Sequence, residues 1–180
     1  MKKILTVLII IALLASFFYT GGMEKVLKTI CPFDYKLEIS KGAAQYNLDP
    51  YLVAAVVKTE SGFDKDASSG VAGGLMQITD ATAEYIAGRT DYDFDKRLEP
   101  DTNIMMGCYY LSYLIGRFSN TDTALAAYNA GPAKVDGWLK DTRYSSNGKT
   151  LDDIPYKETR DYIVKINLYK RIYERLYKIS

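Results

Sequence analysis

The spacing of apolar and polar residues predicts a chain built mainly of α-helices. Residues 52–57 are apolar on every side, so the helix that carries them must be buried. Asp49 is suited to cap this helix and Pro50 to begin it, because the fixed φ of proline fits the first helical position. No alternating strand pattern competes, and no repeat is visible. Helical spacing predicts further helices over residues 80–87, 101–118, 121–129, 132–139 and 159–177.

A long apolar segment stands at the N-terminus. Lys2 and Lys3 precede 20 uncharged residues, 4–23, which as one helix would measure about 30 Å, the thickness of a bilayer core. This pattern favours a signal-anchor or transmembrane segment over residues 1–23, with a secretory signal cleaved before Met23 as the alternative. Because both lysines stay in the cytoplasm, we expect a single-pass cell-membrane protein whose remaining chain is extracytoplasmic.

The remaining chain divides into a short stalk, residues 24–35, and one working domain, residues 36–180. A domain of this length is large enough to bury its own core. Cys31 lies in the stalk and is therefore expected outside, near the membrane surface, as a free thiol or an intermolecular bridge. Cys108 belongs to a predicted helix and is expected to be packed inside the domain.

Composition narrows the possible chemistry. The 180 residues hold 23 Lys and Arg against 22 Asp and Glu, so the chain lacks the positive charge of a nucleic-acid-binding protein. Histidine is absent, which excludes catalytic triads based on histidine and imidazole metal sites. The two cysteines form no CxxC pair, which makes a disulfide framework and a thiolate metal cluster implausible. We expect neither a metal nor a cofactor. Catalysis would have to use carboxylates, hydroxyls or amines.

Glu60 is the first residue with a possible catalytic role. It follows the buried helix directly, so its carboxyl is either desolvated, with a raised pKa, or located where the helix reaches water. A protonated glutamic acid in an apolar cleft is what cleavage of a glycosidic bond requires, because the leaving oxygen must gain a proton. Hydrolases of this kind also need a second carboxylate, for which Asp64 and Asp66 are candidates, and a mechanism with one carboxylate stays open.

Four motifs together resemble the SLT-type lytic transglycosylases. They occur in the family's order, from about Asn47 to Tyr177, and cover most of the chain after the N-terminal segment. The resemblance implies a lysozyme-like helical fold and cleavage of the β-1,4 bond between MurNAc and GlcNAc in peptidoglycan. The motifs are Glu-Ser-Gly-Phe at 60–63, Gly-Leu-Met-Gln-Ile at 74–78, Ala-Ala-Tyr-Asn-Ala-Gly-Pro at 126–132 and Ile-Pro-Tyr-Lys-Glu-Thr-Arg-Asp-Tyr at 154–162.

The resemblance implies a mechanism with a single acid. Glu60 matches the family's catalytic glutamate, which protonates the glycosidic oxygen and then, as a carboxylate, accepts the proton of the MurNAc C6 hydroxyl. That hydroxyl attacks C1 and closes a 1,6-anhydro ring. No water is consumed, so the enzyme would be a lyase. The N-acetyl carbonyl of the substrate can stabilise the positive charge that develops, which makes a second carboxylate unnecessary.

The same motifs imply substrate contacts. Met76 would line a sugar subsite and Gln77 would hydrogen-bond the glycan, although a packed methionine and an internally bonded amide are the structural alternatives. Tyr128 would lie near Glu60 and Asn129 on an N-acetyl group, whereas a helical tyrosine is more often part of a core. Glu158 would contact substrate or order the cleft, with a role at the start of its helix as the equal alternative.

The chain departs from the family pattern in the loop 67–74. It is one residue shorter there, and Val71 occupies the place of a glycine before Ala72. The family's loop serine is therefore either Ser68 or Ser69. We choose Ser68, because Ala72 then keeps its place before the Gly-Leu-Met-Gln motif.

Three functions are compatible with these features. The first is an active transglycosylase that binds peptidoglycan glycan strands as a monomer. The second is a goose-lysozyme-like hydrolase on the same fold, with water positioned by Asp64 or Asp66. The third is a glycan-binding protein with weak activity. The first is favoured because all four motifs follow the transglycosylase version.

Overall fold

The structure is a computed structural model that describes residues 2–178. Met1, the first residue of the predicted anchor, and Ile179 and Ser180, the last two of the predicted domain, lie outside the described residues. Within residues 2–178 the chain forms nine α-helices and one two-stranded antiparallel sheet. In chain order they are α1 Lys2–Tyr19, α2 Gly22–Ile30, α3 Lys36–Gln45, α4 Pro50–Glu60, β1 Ala72–Gly73, β2 Ile78–Thr79, α5 Asp80–Ala87, α6 Pro100–Phe118, α7 Thr121–Ala130, α8 Pro132–Leu139 and α9 Lys157–Leu176.

Helix α4 is the centre of the core, as its sequence predicts. Leu52 is 5% exposed and the five apolar residues after it are fully buried. The helix packs against α3 and α9, while α6 packs against α3 and α7. The carboxylate of Asp49 accepts a hydrogen bond of 2.9 Å from the amide of Tyr51, and Pro50 occupies the first turn, so the predicted start of the helix is confirmed.

The predicted helices are present with small shifts of their ends. Helices α5 and α8 have the predicted bounds, and α6, α7 and α9 differ by one or two residues at an end. The hairpin of β1 and β2, which pairs Ala72 with Thr79, was not predicted. Two-residue strands are too short for an alternating pattern to show in the sequence.

The N-terminal segment is not one continuous helix. Helix α1 ends at Tyr19, and Gly21 adopts a left-handed backbone with φ 71°, which changes the direction of the chain before α2. Within residues 2–178 no single helix passes as a membrane span. Two segments, Ile9–Tyr19 and Gly22–Ile30, are long and apolar enough to cross a membrane only when they are taken together, and the chain bends by 64° between them. The expectation of an uninterrupted helix over 20 residues is therefore wrong.

The predicted stalk is also folded. Residues 22–30 form α2, and Cys31 is 1% exposed, covered by the end of α9. The hydroxyl of Tyr177 donates a hydrogen bond of 2.9 Å to the Cys31 carbonyl. Cys31 is a free thiol, which is one of the two states expected, but the alternative of a bridge to another molecule is wrong because the residue is buried. Cys108 is fully buried in α6, as expected.

Candidate active site

Glu60 is the last residue of α4, and its carboxyl turns towards α9. The side chain is partly buried, and the hydroxyl of Tyr162 donates a hydrogen bond of 2.6 Å to its Oε1. The next residue, Ser61, ends the helix, and its Oγ accepts a hydrogen bond from the amide of Phe63. The buried helix thus carries one carboxyl to the edge of the core and holds it against one phenol.

Burial decides the protonation of Glu60. Loss of solvation raises its pKa to about 7, although the hydrogen bond from Tyr162 acts in the opposite direction. Of the two environments that the sequence allows for this carboxyl, the structure therefore has the desolvated one. Near neutral pH a large share of the molecules carry the Glu60 proton, so the group can act as an acid.

The carboxyl of Glu60 opens into a cavity of about 460 Å³. Asn129 at the end of α7 and Glu158 at the start of α9 line the same cavity, so three of the predicted site residues meet there. The Oδ1 of Asn129 accepts a hydrogen bond of 2.8 Å from the hydroxyl of Thr159, which fixes the orientation of the amide. The remaining lining residues are Thr59, Lys157, Asp161, Tyr162 and Lys165.

Tyr128 precedes Asn129 in α7 and interacts electrostatically with Glu60. Its hydroxyl donates a hydrogen bond of 2.8 Å to the backbone carbonyl of Met76. Burial raises the pKa of Tyr128 well above its usual range, and the negative charge of Glu60 adds to this shift. The phenol therefore stays neutral and links the Glu60 region to the turn that carries Met76.

That turn, residues 74–77, is held by internal hydrogen bonds. Met76 is fully buried, so its side chain has no exposed surface with which to line a sugar subsite. The Nε2 of Gln77 donates hydrogen bonds of 2.9 Å to the carbonyls of Ala67 and Gly74. Its side-chain amide nitrogen therefore stabilises the loop, and its Oε1 is the atom left to accept a hydrogen bond.

Ser68 lies in a different cavity. It is exposed, its Oγ accepts a hydrogen bond of 3.2 Å from the amide of Gly70, and it lines a cavity of about 380 Å³ that does not include Glu60. The Oγ of Ser69 accepts a hydrogen bond from the amide of Ala72. Both serines of the shortened loop thus bond the backbone of that loop.

The carboxylates proposed for a hydrolase lie outside the Glu60 cavity. Asp64 and Asp66 are exposed, and neither lines the Glu60 cavity. Asp66 forms an ion pair of 2.8 Å with Lys65, and Asp64 accepts a hydrogen bond of 3.0 Å from the amide of Asp66. Their hydrogen bonds therefore stabilise the loop that follows α4. Among residues 2–178, no group of three or more carboxylate, histidine or cysteine side chains could hold a metal ion.

Three residues of the site were not predicted as such. Helical spacing explains Tyr162 as part of the apolar face of the last helix, although Tyr162 is also the last residue of the fourth motif, and Thr159 lies within that motif. Asn103 is fully buried and connects the second motif to α6. It accepts a hydrogen bond of 2.8 Å from the Met76 amide and donates to the carbonyls of Gly73 and Arg97. Its position in a helix gave no signal of that role.

Comparison with known proteins defines the family. The family model described as Transglycosylase SLT domain matches residues 38–150. The chain belongs to this family, and the expected mainly α, lysozyme-like fold is confirmed by solved structures. One is the inactive glutamate-to-glutamine mutant of the lytic transglycosylase Slt from Pseudomonas aeruginosa, with a TM-score of 0.72 and 34% identity, covering 83% of this chain and 25% of that one.

Curated relatives carry related names. The chain is 39% identical over 117 residues to the transglycosylase of Enterobacteria phage PRD1, covering 64% of this chain and 41% of the relative. It is 36% identical over 126 residues to the soluble lytic murein transglycosylase of Salmonella typhimurium, covering 66% of this chain and 20% of the relative. The chain thus spans less than half the length of these relatives. Relatives named soluble and relatives named membrane-bound both occur.

Proposed function

We propose that the protein is a peptidoglycan lytic transglycosylase that cleaves the β-1,4 bond between MurNAc and GlcNAc without water. The observation that carries this proposal is the single desolvated carboxyl of Glu60, with a pKa of about 7, in a cavity of about 460 Å³. The names of the relatives, which include lytic murein transglycosylases, support the same substrate. Asp64 and Asp66 lie outside that cavity, so the hydrolase alternative has no second carboxylate from this loop. The two other carboxylates that line the cavity, Glu158 and Asp161, are exposed, and Asp161 is paired with Lys157.

The proposed reaction uses Glu60 twice. Its proton passes to the glycosidic oxygen as the bond from that oxygen to C1 of MurNAc breaks. The resulting carboxylate accepts the proton of the C6 hydroxyl, whose oxygen forms the new bond to C1. Glu60 is then protonated again, and the product carries a 1,6-anhydro end. The hydrogen bond from Tyr162 keeps the Glu60 carboxyl in one orientation through both transfers.

The roles of the other site residues are assigned from the polar atoms that each residue has available to bind substrate. Thr159 occupies the carbonyl of Asn129, so the Asn129 amide nitrogen is available to donate to an N-acetyl carbonyl. Glu158 is exposed at the cavity rim and is assigned to sugar hydroxyls. Gln77 is assigned to accept a hydrogen bond from the glycan through its Oε1. Ser68 is assigned to hydrogen-bond the glycan through its hydroxyl, in the cavity of about 380 Å³. Met76 acts through its backbone carbonyl, which orients Tyr128.

Replacing Glu60 tests this assignment. Glu60→Gln preserves shape but can neither donate nor recover a proton, so we expect turnover of purified peptidoglycan to fall about 100-fold or more, with the fold intact by circular dichroism. Glu84→Gln, an exposed change on α5, is the matched control and should leave the rate unchanged. If Glu60→Gln retains half of the activity, Glu60 is not the acid.

We further assign residues 4–23 to the cytoplasmic membrane, with the domain outside, where its substrate lies. Lys2 and Lys3, the apolar surface of α1 and the existence of relatives named membrane-bound support this location. Secretion after cleavage before Met23 is the alternative. The proposed division is an anchor over residues 1–23, a short connection over residues 24–35 and a monomeric catalytic domain over residues 36–180.

A further inference from the structure

Helix α2 presents an apolar face that the described chain leaves exposed. Met23, Val26 and Ile30 are 43%, 44% and 56% exposed, and their spacing of three and four residues places them on one side of the helix. The other side carries Lys25 together with Glu24 and Lys28, which form an ion pair of 2.6 Å. A helix that is apolar on one side and charged on the other is typical of segments that lie in a membrane interface.

The segment after α2 is fastened to the domain. The hydroxyl of Tyr173 donates a hydrogen bond of 3.0 Å to the carbonyl of Pro32, and Tyr177 donates to that of Cys31. The Nζ of Lys28 lies 5.7 Å from the centre of the Tyr177 ring. Helix α2 is thus held against the C-terminal end of α9, and whatever binds its apolar face also orients the catalytic domain.

A cavity of about 470 Å³ lies where α1, α2 and α9 meet. Its apolar wall includes Phe18, Met23, Leu27 and Leu176, and its cation is Arg175. The one carboxylate of the lining, Glu24, is neutralised by its ion pair with Lys28. Arg175 forms no ion pair with any residue between 2 and 178. An apolar wall beside an unpaired guanidinium matches the chemistry of a phospholipid, whose acyl chain is apolar and whose phosphate is anionic.

We infer that α2 lies in the plane of the membrane interface and that Arg175 binds the phosphate of an anionic phospholipid in the cavity beside it. The inference rests on the proposed membrane location. The occupant is the outer surface of the cytoplasmic membrane, because the apolar face of α2 continues into the exposed apolar residues Phe17 and Phe18 of α1. The positive charge of Arg175 complements anionic headgroups.

This arrangement would set the distance between the active site and the membrane. Helix α9 contacts α2 at its C-terminal end and lines the Glu60 cavity near its start. From Tyr162 to Leu176 the helix rises roughly 20 Å. The cavity therefore lies within roughly 20 Å of the membrane surface, closer than the reach of about 40 Å that an extended stalk would allow.

Depth-sensitive fluorescence on the full chain in phospholipid vesicles tests the position of α2. An environment-sensitive dye is attached to one introduced cysteine at a time, while the native Cys31 and Cys108 are buried. Val26→Cys and Ile30→Cys lie on the apolar face, and Lys25→Cys and Thr29→Cys lie on the other face. We expect enhanced, blue-shifted emission at 26 and 30 only. Equal emission at all four positions overturns the inference, whether the spectra indicate water or the membrane interior. The inference is also overturned if raising the protein concentration in lipid-free detergent causes the blue shift at 26 and 30, because a second protein copy then covers this face.

Lipid binding by the full chain in detergent tests Arg175. Native mass spectrometry with added phosphatidylglycerol or phosphatidylcholine should show preference for the anionic lipid. Arg175→Gln should reduce that preference roughly fivefold, and Lys140→Gln, an equal charge change at the end of α8, should leave it unchanged. No preference in the wild type, or equal loss in both variants, overturns the inference. Neither readout depends on cleavage, which is assayed separately on detached glycan, so failure here leaves the proposed reaction standing.

Discussion

Two opposing effects act on Glu60, and burial is the larger. A hydrogen bond to a carboxylate lowers its pKa, as Tyr162 does here, yet the pKa of Glu60 is raised to about 7. The reason lies in the sequence before it, because six consecutive apolar residues force α4 into the core and leave its last residue short of solvent. One side chain can therefore hold a proton near neutral pH and give it up to a bound oxygen.

The pH dependence of cleavage follows from that raised pKa. Only protonated Glu60 can begin the reaction, so kcat/KM should be level below about pH 7 and fall above it as the proton is lost. Tyr162→Phe removes a bond that favours the ionised form, so the alkaline decline should move to higher pH. It should also lower kcat about tenfold, because the carboxyl loses its orientation.

The matched control for this profile is Tyr169→Phe, two turns further along α9. It should leave both the rate and the pH profile of the wild type unchanged. A bell-shaped wild-type profile, with a second decline at acid pH, would indicate that an ionised carboxylate is also needed, as in a hydrolase with two carboxylates. If the alkaline decline of kcat/KM occurs at the same pH in Tyr162→Phe as in the wild type, the phenol does not affect the pKa of Glu60.

At the level of single residues, the sequence singles out Glu60 as a candidate but does not reveal its partner. Glu60 stood out because an all-apolar helix ended at a carboxylate. Tyr162 occupied a position that helical spacing explains equally well by packing, so its contact across the fold was invisible until α4 and α9 were placed side by side. The burial of Met76 was likewise hidden, since it depends on how closely α6 approaches.

At the scale of elements, the long helices were predictable and the β-hairpin was not. Capping residues define the start of α4 in the sequence itself, and helical spacing defines α5. The turn before β2, in contrast, depends on a long-range contact with Asn103 of α6. The break between α1 and α2 depends on the left-handed backbone of Gly21. A glycine can adopt this conformation but does not have to, so the sequence does not predict the break.

Replacing Asn103 measures how strongly α6 holds that turn. Asn103→Ala removes two buried hydrogen bonds, with Met76 and Gly73, and a partly buried one with Arg97, and should lower the free energy of unfolding by about 3 kcal/mol. Asn167→Ala, whose hydrogen bond to Asp122 is exposed, is the control and should cost less than about 1 kcal/mol. Urea denaturation followed by circular dichroism gives both values. Equal losses would mean that Asn103 does not hold the turn.

At the scale of the whole molecule, location and function are linked. Glycan strands of the wall lie outside the cytoplasmic membrane, so an anchored enzyme acts on nearby material without diffusing away. The sequence predicted the apolar segment and the positive charges before it. The bend, the helical connection and the docking of residues 31–33 on α9 could not be read from it, because they depend on contacts with the C-terminal end of the chain.

Fractionation of a tagged full-length chain tests the location. We expect recovery in the membrane pellet with Met1 still present. Ile10→Asp combined with Leu13→Asp places two charges in α1, at a cost of about 3 kcal/mol each at a membrane centre, and should release the chain from the pellet. Soluble wild-type protein beginning at Met23 would contradict the anchor, and a cytoplasmic location would contradict the cell-wall function as well.

The chemical form of the new glycan end tests the central claim most directly. Purified peptidoglycan is digested in oxygen-18-labelled water, and the fragments are weighed by mass spectrometry. Intramolecular attack by the C6 hydroxyl predicts 1,6-anhydroMurNAc ends, lighter by one water than reducing ends and free of label. Fragments that end in reducing MurNAc and carry labelled oxygen would show that water is the nucleophile, and the transglycosylase mechanism would then be wrong.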